Sequence, residues 1–167
     1  SGRGPTPPDV DKIIREFQEK IKKFLPGGSS SGGKQAILVL LILGFIWLAT
    51  YGGGLNRFDP SNEIFTYISH NDNKEDSLSS DFSWIMMQDK EFNLWIGTQA
   101  AGINVISREN IESKNFTFKH LDIKDGMKDQ TVYGFSQDSA DNIWFSTNKG
   151  ISRYSPKNQT FKHFDTR

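Results

Sequence analysis

The chain's only imidazoles are His70, His120 and His163, and it has no cysteine. Thiolate metal sites, a thiol nucleophile and a disulfide framework are therefore excluded. His120 and His163 end the similar tripeptides Phe118-Lys119-His120 and Phe161-Lys162-His163. A residue that returns at an equivalent place is first a building element, so strand decoration outweighs metal ligation at both. His70 has no second histidine near it. The run from Asp72 to Asp81 holds Asp72, Glu75, Asp76 and Asp81, which could attract a cation, yet it lacks the ordered spacing of a calcium loop. It reads as a solvated loop. Ser77, Ser79 and Ser80 have no activating base in a recognisable motif, and no glycine loop precedes a lysine to cradle phosphate. Asp89 and Asp138 could pose as catalytic carboxylates, but they too recur and suit turns. No catalytic, metal or cofactor set is expected, and the chain does not read as an enzyme.

Those recurring residues sit in a tandem repeat. Gly54-Leu55-Asn56-Arg57, Gly102-Ile103-Asn104-Val105 and Gly150-Ile151-Ser152-Arg153 follow one another at 48 residues. Asn93-Leu94-Trp95-Ile96-Gly97-Thr98 returns 49 residues later as Asn142-Ile143-Trp144-Phe145-Ser146-Thr147, each behind a Gln-Asp step. Phe65-Thr66-Tyr67 is an earlier copy of the two histidine tripeptides. One period reads as four short strands, Leu55 to Phe58, Ile64 to Ile68, Phe82 to Gln88 and Leu94 to Thr98, separated by turn formers such as Asp59-Pro60-Ser61-Asn62. Four strands in about 48 residues make one β-propeller blade. The expected fold is thus an all-β repeat over 52–167, a partial β-propeller of about two four-stranded blades. Trp95 and Trp144 are expected to fill the space between blades. Closed propellers use ~4–8 blades, so the stretch reads as a fragment, or as one of several copies that close a ring together.

Ahead of the repeat the composition changes. Residues 1–8 are rich in Gly and Pro and read as a disordered tail. Val10, Ile13, Ile14, Phe17, Ile21, Phe24 and Leu25 form one stripe of a 3.6-residue period, so 9–25 reads as an amphipathic helix, closed by Pro26-Gly27-Gly28. Residues 26–34 are a Gly/Ser linker. Residues 35–51 read as a single transmembrane helix. The 16 residues from Ala36 to Tyr51 carry no charge and reach about 24 Å of a ~30 Å core, with Gln35 and Gly52-Gly53-Gly54 lengthening the uncharged stretch. Seven bases and four acids precede it, and Arg57 is the one base before Lys74. The amino end is then expected to be cytoplasmic and the carboxyl part periplasmic, in a bacterial inner membrane. A lipid bilayer is the first expected partner, with the basic helix lying on the anionic leaflet. Lys+Arg 20 against Asp+Glu 20 leaves no net charge, so nucleic acid is not an expected partner.

Gly53-Gly54-Leu55-Asn56-Arg57-Phe58-Asp59-Pro60, Ser77-Leu78-Ser79-Ser80-Asp81 and Asn93-Leu94-Trp95-Ile96-Gly97-Thr98 resemble the two-component regulator propeller repeat of bacterial hybrid sensor kinases. That family usually has glycine where Phe92, Asp141 and Ser146 stand. The resemblance implies an extracytoplasmic ligand-sensing module of two-component signalling, with an oligosaccharide-type ligand. Its contact loops would be those that differ between repeats, His70 to Asp76 and Asp122 to Asp129. The amino part, from Gly2-Arg3-Gly4-Pro5 and Pro7-Pro8-Asp9-Val10-Asp11 to about Thr50, is similar to the amino-terminal region of the HflK subunit. That resemblance implies a membrane subunit that assembles with and modulates an FtsH-type protease. The two meet near Thr50 with almost no spacer, as expected of a chimera or composite.

Overall fold

A computed structural model describes residues 45–164. The tail 1–8, the expected helix 9–25, the linker 26–34 and residues 35–44 of the expected span lie outside the described residues. Three antiparallel sheets follow one another along the chain. The first joins β1 (Ile46–Ala49), β2 (Leu55–Asp59) and β3 (Ile64–Ile68). The second is a meander of β4 (Ser83–Gln88), β5 (Leu94–Thr98), β6 (Ile103–Ile106) and β7 (Lys119–Leu121). The third repeats it with β8 (Val132–Gln137), β9 (Ile143–Thr147), β10 (Gly150–Ser155) and β11 (Thr160–Phe164). A short helix, α1 (Arg108–Glu112), interrupts only the β6–β7 connection, capped by the Ser107 side chain.

Two expectations need correction. The four strands assigned to one period all exist, but they belong to two sheets: β2 and β3 end the first, while β4 and β5 begin the second. The blade boundary falls in the linker between Ile68 and Ser83, because a long crossing leads from β3 into the first strand of the next sheet, as another does from β7 into β8. The described residues therefore hold two complete four-stranded sheets and a three-stranded one. The second correction concerns 35–51. Ile46–Ala49 is a strand, in register with β2 through Ile46–Phe58, Trp47–Arg57, Leu48–Asn56 and Ala49–Leu55. Its turn is fixed where Thr50 donates both its N–H (3.0 Å) and its hydroxyl (3.0 Å) to the Gly54 carbonyl. Trp47 and Thr50 stand 48 residues before Trp95 and Thr98, so this stretch is a further copy of the Trp-x-x-Thr strand. Continuous hydrophobicity alone cannot separate such a strand from a helix. Among the described residues no helix is long and apolar enough to cross a membrane.

Strand alternation sends one side-chain set toward each neighbouring sheet. Trp95, Ile103 and Leu121 leave the second sheet to meet Met127, Val132, Ile143, Phe145 and Tyr154 around the third. Leu55 and Ile68 of the first sheet meet Leu94, Ile96 and Ile106 of the second, with Leu78 from the linker between them. Trp95 does fill inter-sheet space: it is buried, with its ring 6.0 Å from that of Tyr154. Trp144 stacks instead on Phe164 of its own sheet at 5.2 Å, and Arg153 lies over its ring. On that outer face Ile151 is 50% exposed, whereas its counterpart Ile103 is fully covered.

The linkers are pinned by the recurring polar residues. His120 Nε2 lies 2.7 Å from the Ser77 carbonyl, and His163 Nε2 2.9 Å from the Gly126 carbonyl. Ser77 and Gly126 stand 49 residues apart, so both histidines clamp the crossing into their own sheet. Buried Asn104 reinforces the first clamp, accepting from Ser79 N and donating to Ser79 Oγ, each at 2.8 Å.

Candidate functional site

β4 and β8 each carry one extra residue opposite their partner strand. Pairing with β5 slips between Ser83 and Ile85, and pairing with β9 slips between Val132 and Gly134. The surplus residues are Trp84 and Tyr133. A bulge re-aims its side chain and turns it out of the sheet's alternation. Trp84 is 37% exposed and Tyr133 51%, each on the first strand of its sheet. Their rings stack with centroids 5.5 Å apart. Tyr51, at the end of the first sheet's hairpin, stacks on Trp84 at 6.2 Å, and Phe82 meets Tyr51 edge-on at 4.9 Å. Tyr51 is 63% exposed and Phe82 44%. Three consecutive sheets thus contribute to one continuous, solvent-facing aromatic ridge.

Hydrogen bonds fix the ridge from below. Trp84 Nε1 donates to the Val132 carbonyl at 2.7 Å, tying the second sheet to the third. The Tyr133 hydroxyl donates to Asn148 Oδ1 at 2.7 Å, and Asn148 Nδ2 reaches Asp129 Oδ1 at 3.2 Å. The Thr131 hydroxyl donates to the Gln99 carbonyl, while Gln99 N donates to the Phe82 carbonyl at 3.0 Å. The rim therefore offers amides and hydroxyls beside planar apolar faces. Such a surface favours ligands with flat hydrocarbon faces and hydroxyl or amide edges.

Elsewhere the sequence candidates are dispersed. His120 and His163 do not meet, and among the described residues no group of three His, Cys, Asp or Glu side chains could hold a metal ion. Asp72 pairs with His70 (2.9 Å), Asp76 with Lys74 (3.4 Å), and Asp81 Oδ1 accepts from His70 N (2.7 Å). Ser77 and Ser79 hydroxyls donate to the Asn71 and Ala101 carbonyls, and Ser80 Oγ accepts from Phe82 N. Asp89 and Asp138 close their turns: Asp89 Oδ1 accepts from Glu91 N and Asn93 N, Asp138 Oδ1 from Ala140 N and Asn142 N. Their other oxygens take the indole N–H of Trp95 and Trp144, each at 2.8 Å. The Trp144 indole, followed by the Asn142 amide, holds the Asp138 carboxyl far below the usual carboxylate range. Of the two variable loops, Asp122 to Asp129 reaches the ridge through Asp129. A second concavity, about 460 Å³, opens between the second and third sheets over Trp95 and Tyr154. Its rim amides Asn93 and Asn110 are hydrogen-bonded to Asp89 and Thr117, as Asn148 of the ridge is to Tyr133 and Asp129.

The ridge residues were not singled out from the sequence. Trp84 and Tyr133, 49 residues apart, are both aromatic at the start of the first strand of a sheet, and that coincidence was the available signal.

Comparison with known proteins agrees with the sheet fold. Residues 126–149 match the family described as two component regulator propeller. Residues 1–28 match the HflK family described as bacterial membrane protein N terminal, a shorter stretch than the resemblance to Thr50 drawn above. Histidine kinase P4 of Formosa agariphila is 27% identical over 164 residues, covering 72% of this chain and 12% of the kinase. The extracellular domain of a hybrid two component system from B. thetaiotaomicron superposes with a TM-score of 0.64 at 19% identity, over 72% of this chain and 16% of that domain. Another such domain from B. thetaiotaomicron gives 0.60 at 22% identity, over 71% and 16%. The chain spans less than a fifth of the length of each of these relatives. In one sequence it joins sheets with the fold and repeat signature of two component regulator propellers to an amino segment similar to the HflK amino terminus.

Proposed function

We propose that the carboxyl part is a ligand-sensing segment of an extracytoplasmic two-component propeller, and that it takes its ligand on the ridge of Tyr51, Phe82, Trp84 and Tyr133. The observation that carries this reading is the outward aim of the bulged aromatics, because burying them in a neighbouring sheet would stabilise the fold more than exposing them. The ligand class that fits is an oligosaccharide. Pyranose rings present flat C–H faces to aromatic rings and hydroxyls to amides such as Asn148 and the Gln99 backbone.

In this reading the sheets are extracytoplasmic. Because Ile46 to Ala49 pair in a sheet, membrane attachment falls to the residues before them. The uncharged stretch Gln35 to Phe45 would reach only ~16 Å as a helix, short of a ~30 Å core. Surface association through the apolar stripe Val10 to Leu25 is the form the sequence supports. A second reading, assembly with an FtsH-type protease, is favoured by the match over residues 1–28. Co-purification of that protease with the full chain supports this second reading, and its absence contradicts it.

The sensing role is tested by tryptophan emission of the full chain titrated with neutral oligosaccharides of two to six sugars. Saturable binding is expected, weakened about tenfold or more (~1.4 kcal/mol) in Trp84→Ala. Absence of saturable binding across the panel, or an unchanged affinity in Trp84→Ala, contradicts it.

A further inference from the structure

Resting on that reading for what the ridge does, we infer that His70 is a pH-sensitive latch on it: the charged imidazole holds the linker from Ser69 to Phe82 closed, and the neutral ring lets it loosen. His70 Nδ1 lies 2.7 Å from the Leu78 carbonyl and Nε2 2.9 Å from Asp72 Oδ1. A neutral imidazole has a single N–H, so one of its nitrogens would face an acceptor without a proton between them. The charged ring donates to both.

The carboxylates that face the ring, those of Asp72 and Asp81, both favour its charged form. Lys74 and Asp76 pair with each other on the same linker, and His120 of β7 reaches it at Ser77. The Leu78 carbonyl first, and then Asp72, raise the His70 pKa above its ordinary 6.5. A raised value in the folded state means that the latch acts fully below about 6.5 and is lost as pH climbs through the raised value.

Asp81 connects the latch to the ridge. Its carboxylate accepts the His70 N–H at 2.7 Å, and its carbonyl accepts from Gly52 N at 3.0 Å and Gly54 N at 2.9 Å. Phe82, the next residue, bridges to Tyr51 and packs against its ring. Closing the linker thus sets Tyr51 and Phe82 in place. The following linker has Ile123 where this one has His70 and is closed by an Asp122–Asp125 capping box instead. The latch is therefore particular to the crossing that ends at Phe82 and leads into β4.

Amide hydrogen exchange of the full chain between pH 5.5 and 9, corrected for the intrinsic rise with pH, tests this without any ligand. Protection of Gly52, Gly54 and His70 is expected to fall up to about tenfold for each unit by which the His70 pKa is raised. β9 and β10 should stay flat. His70→Gln is expected to abolish the dependence, and Asp72→Asn to move its midpoint toward 6.5 with the fold retained. A flat profile in the wild type, or the same profile in His70→Gln and Asp72→Asn, overturns the latch. Sugar binding that is real but independent of pH overturns the latch alone, whereas a confirmed latch without any sugar binding overturns only the sensing role.

Discussion

At Gly102 the chain takes φ +74°, and an added methyl would run into the backbone carbonyl of Leu121. Gly54 stands in the same situation one repeat earlier, against the carbonyl of Ile68. These repeat-marking glycines are therefore required by backbone conformation and close approach together. Gly102→Ala should cost about 2 kcal/mol or more, read as a lowered urea midpoint, whereas Gly134→Ala, with ordinary φ and only the Ser146 hydroxyl near, should cost much less. An equal effect of the two would contradict this reading. Phe92 and Asp141, where the propeller family usually has glycine, do sit at φ 67° and 63°, so these turns carry strain that most repeats avoid. The sequence made the turn role of Asp89 and Asp138 legible, since both recur before a Trp strand. It did not show that they hold the indoles of Trp95 and Trp144, because that bond closes over six residues through a turn whose path is set by the strand register.

β1 decides how the sheets are counted. Its apolar run, Ile46-Trp47-Leu48-Ala49, continues a longer uncharged block, and hydropathy dominated the reading of that block. The repeat period held the competing signal, since Trp47 and Thr50 keep step with Trp95 and Thr98. The four strands bounded within one period, β2 to β5, were legible almost to the residue; their grouping was not, because sequence order cannot say whether a long crossing ends a blade or lies within it. Leu48 and Asn56 are directly opposite in the β1–β2 register, and the chain has no native cysteine. Leu48→Cys with Asn56→Cys should form a disulfide under mild oxidation, as strand partners whose Cα atoms lie close enough for one. Leu48→Cys with Arg57→Cys should not, since Arg57 is opposite Trp47 and points to the other face. Equal oxidation of both pairs, or of neither, would argue against the strand.

Taken whole, the described residues are three sheets that share two apolar interfaces and carry an aromatic ridge along an exposed edge. The interfaces explain the tandem pattern, because each repeat leaves a face for the next to cover. The edge is where the repeat departs from what packing needs: Tyr51, Trp84 and Tyr133 line up across sheets and remain in solvent. Extracellular domains of two component systems share this sheet fold. The most direct test is an amide and indole NMR map of the chain titrated with a neutral hexasaccharide. The predicted shifts centre on the Trp84 indole, Phe82, Tyr133 and Asn148, with the Trp144 indole unmoved. Shifts centred on Trp144 and Phe164, or on the cleft beside Asp76 and Lys119, would contradict the ridge as the binding surface.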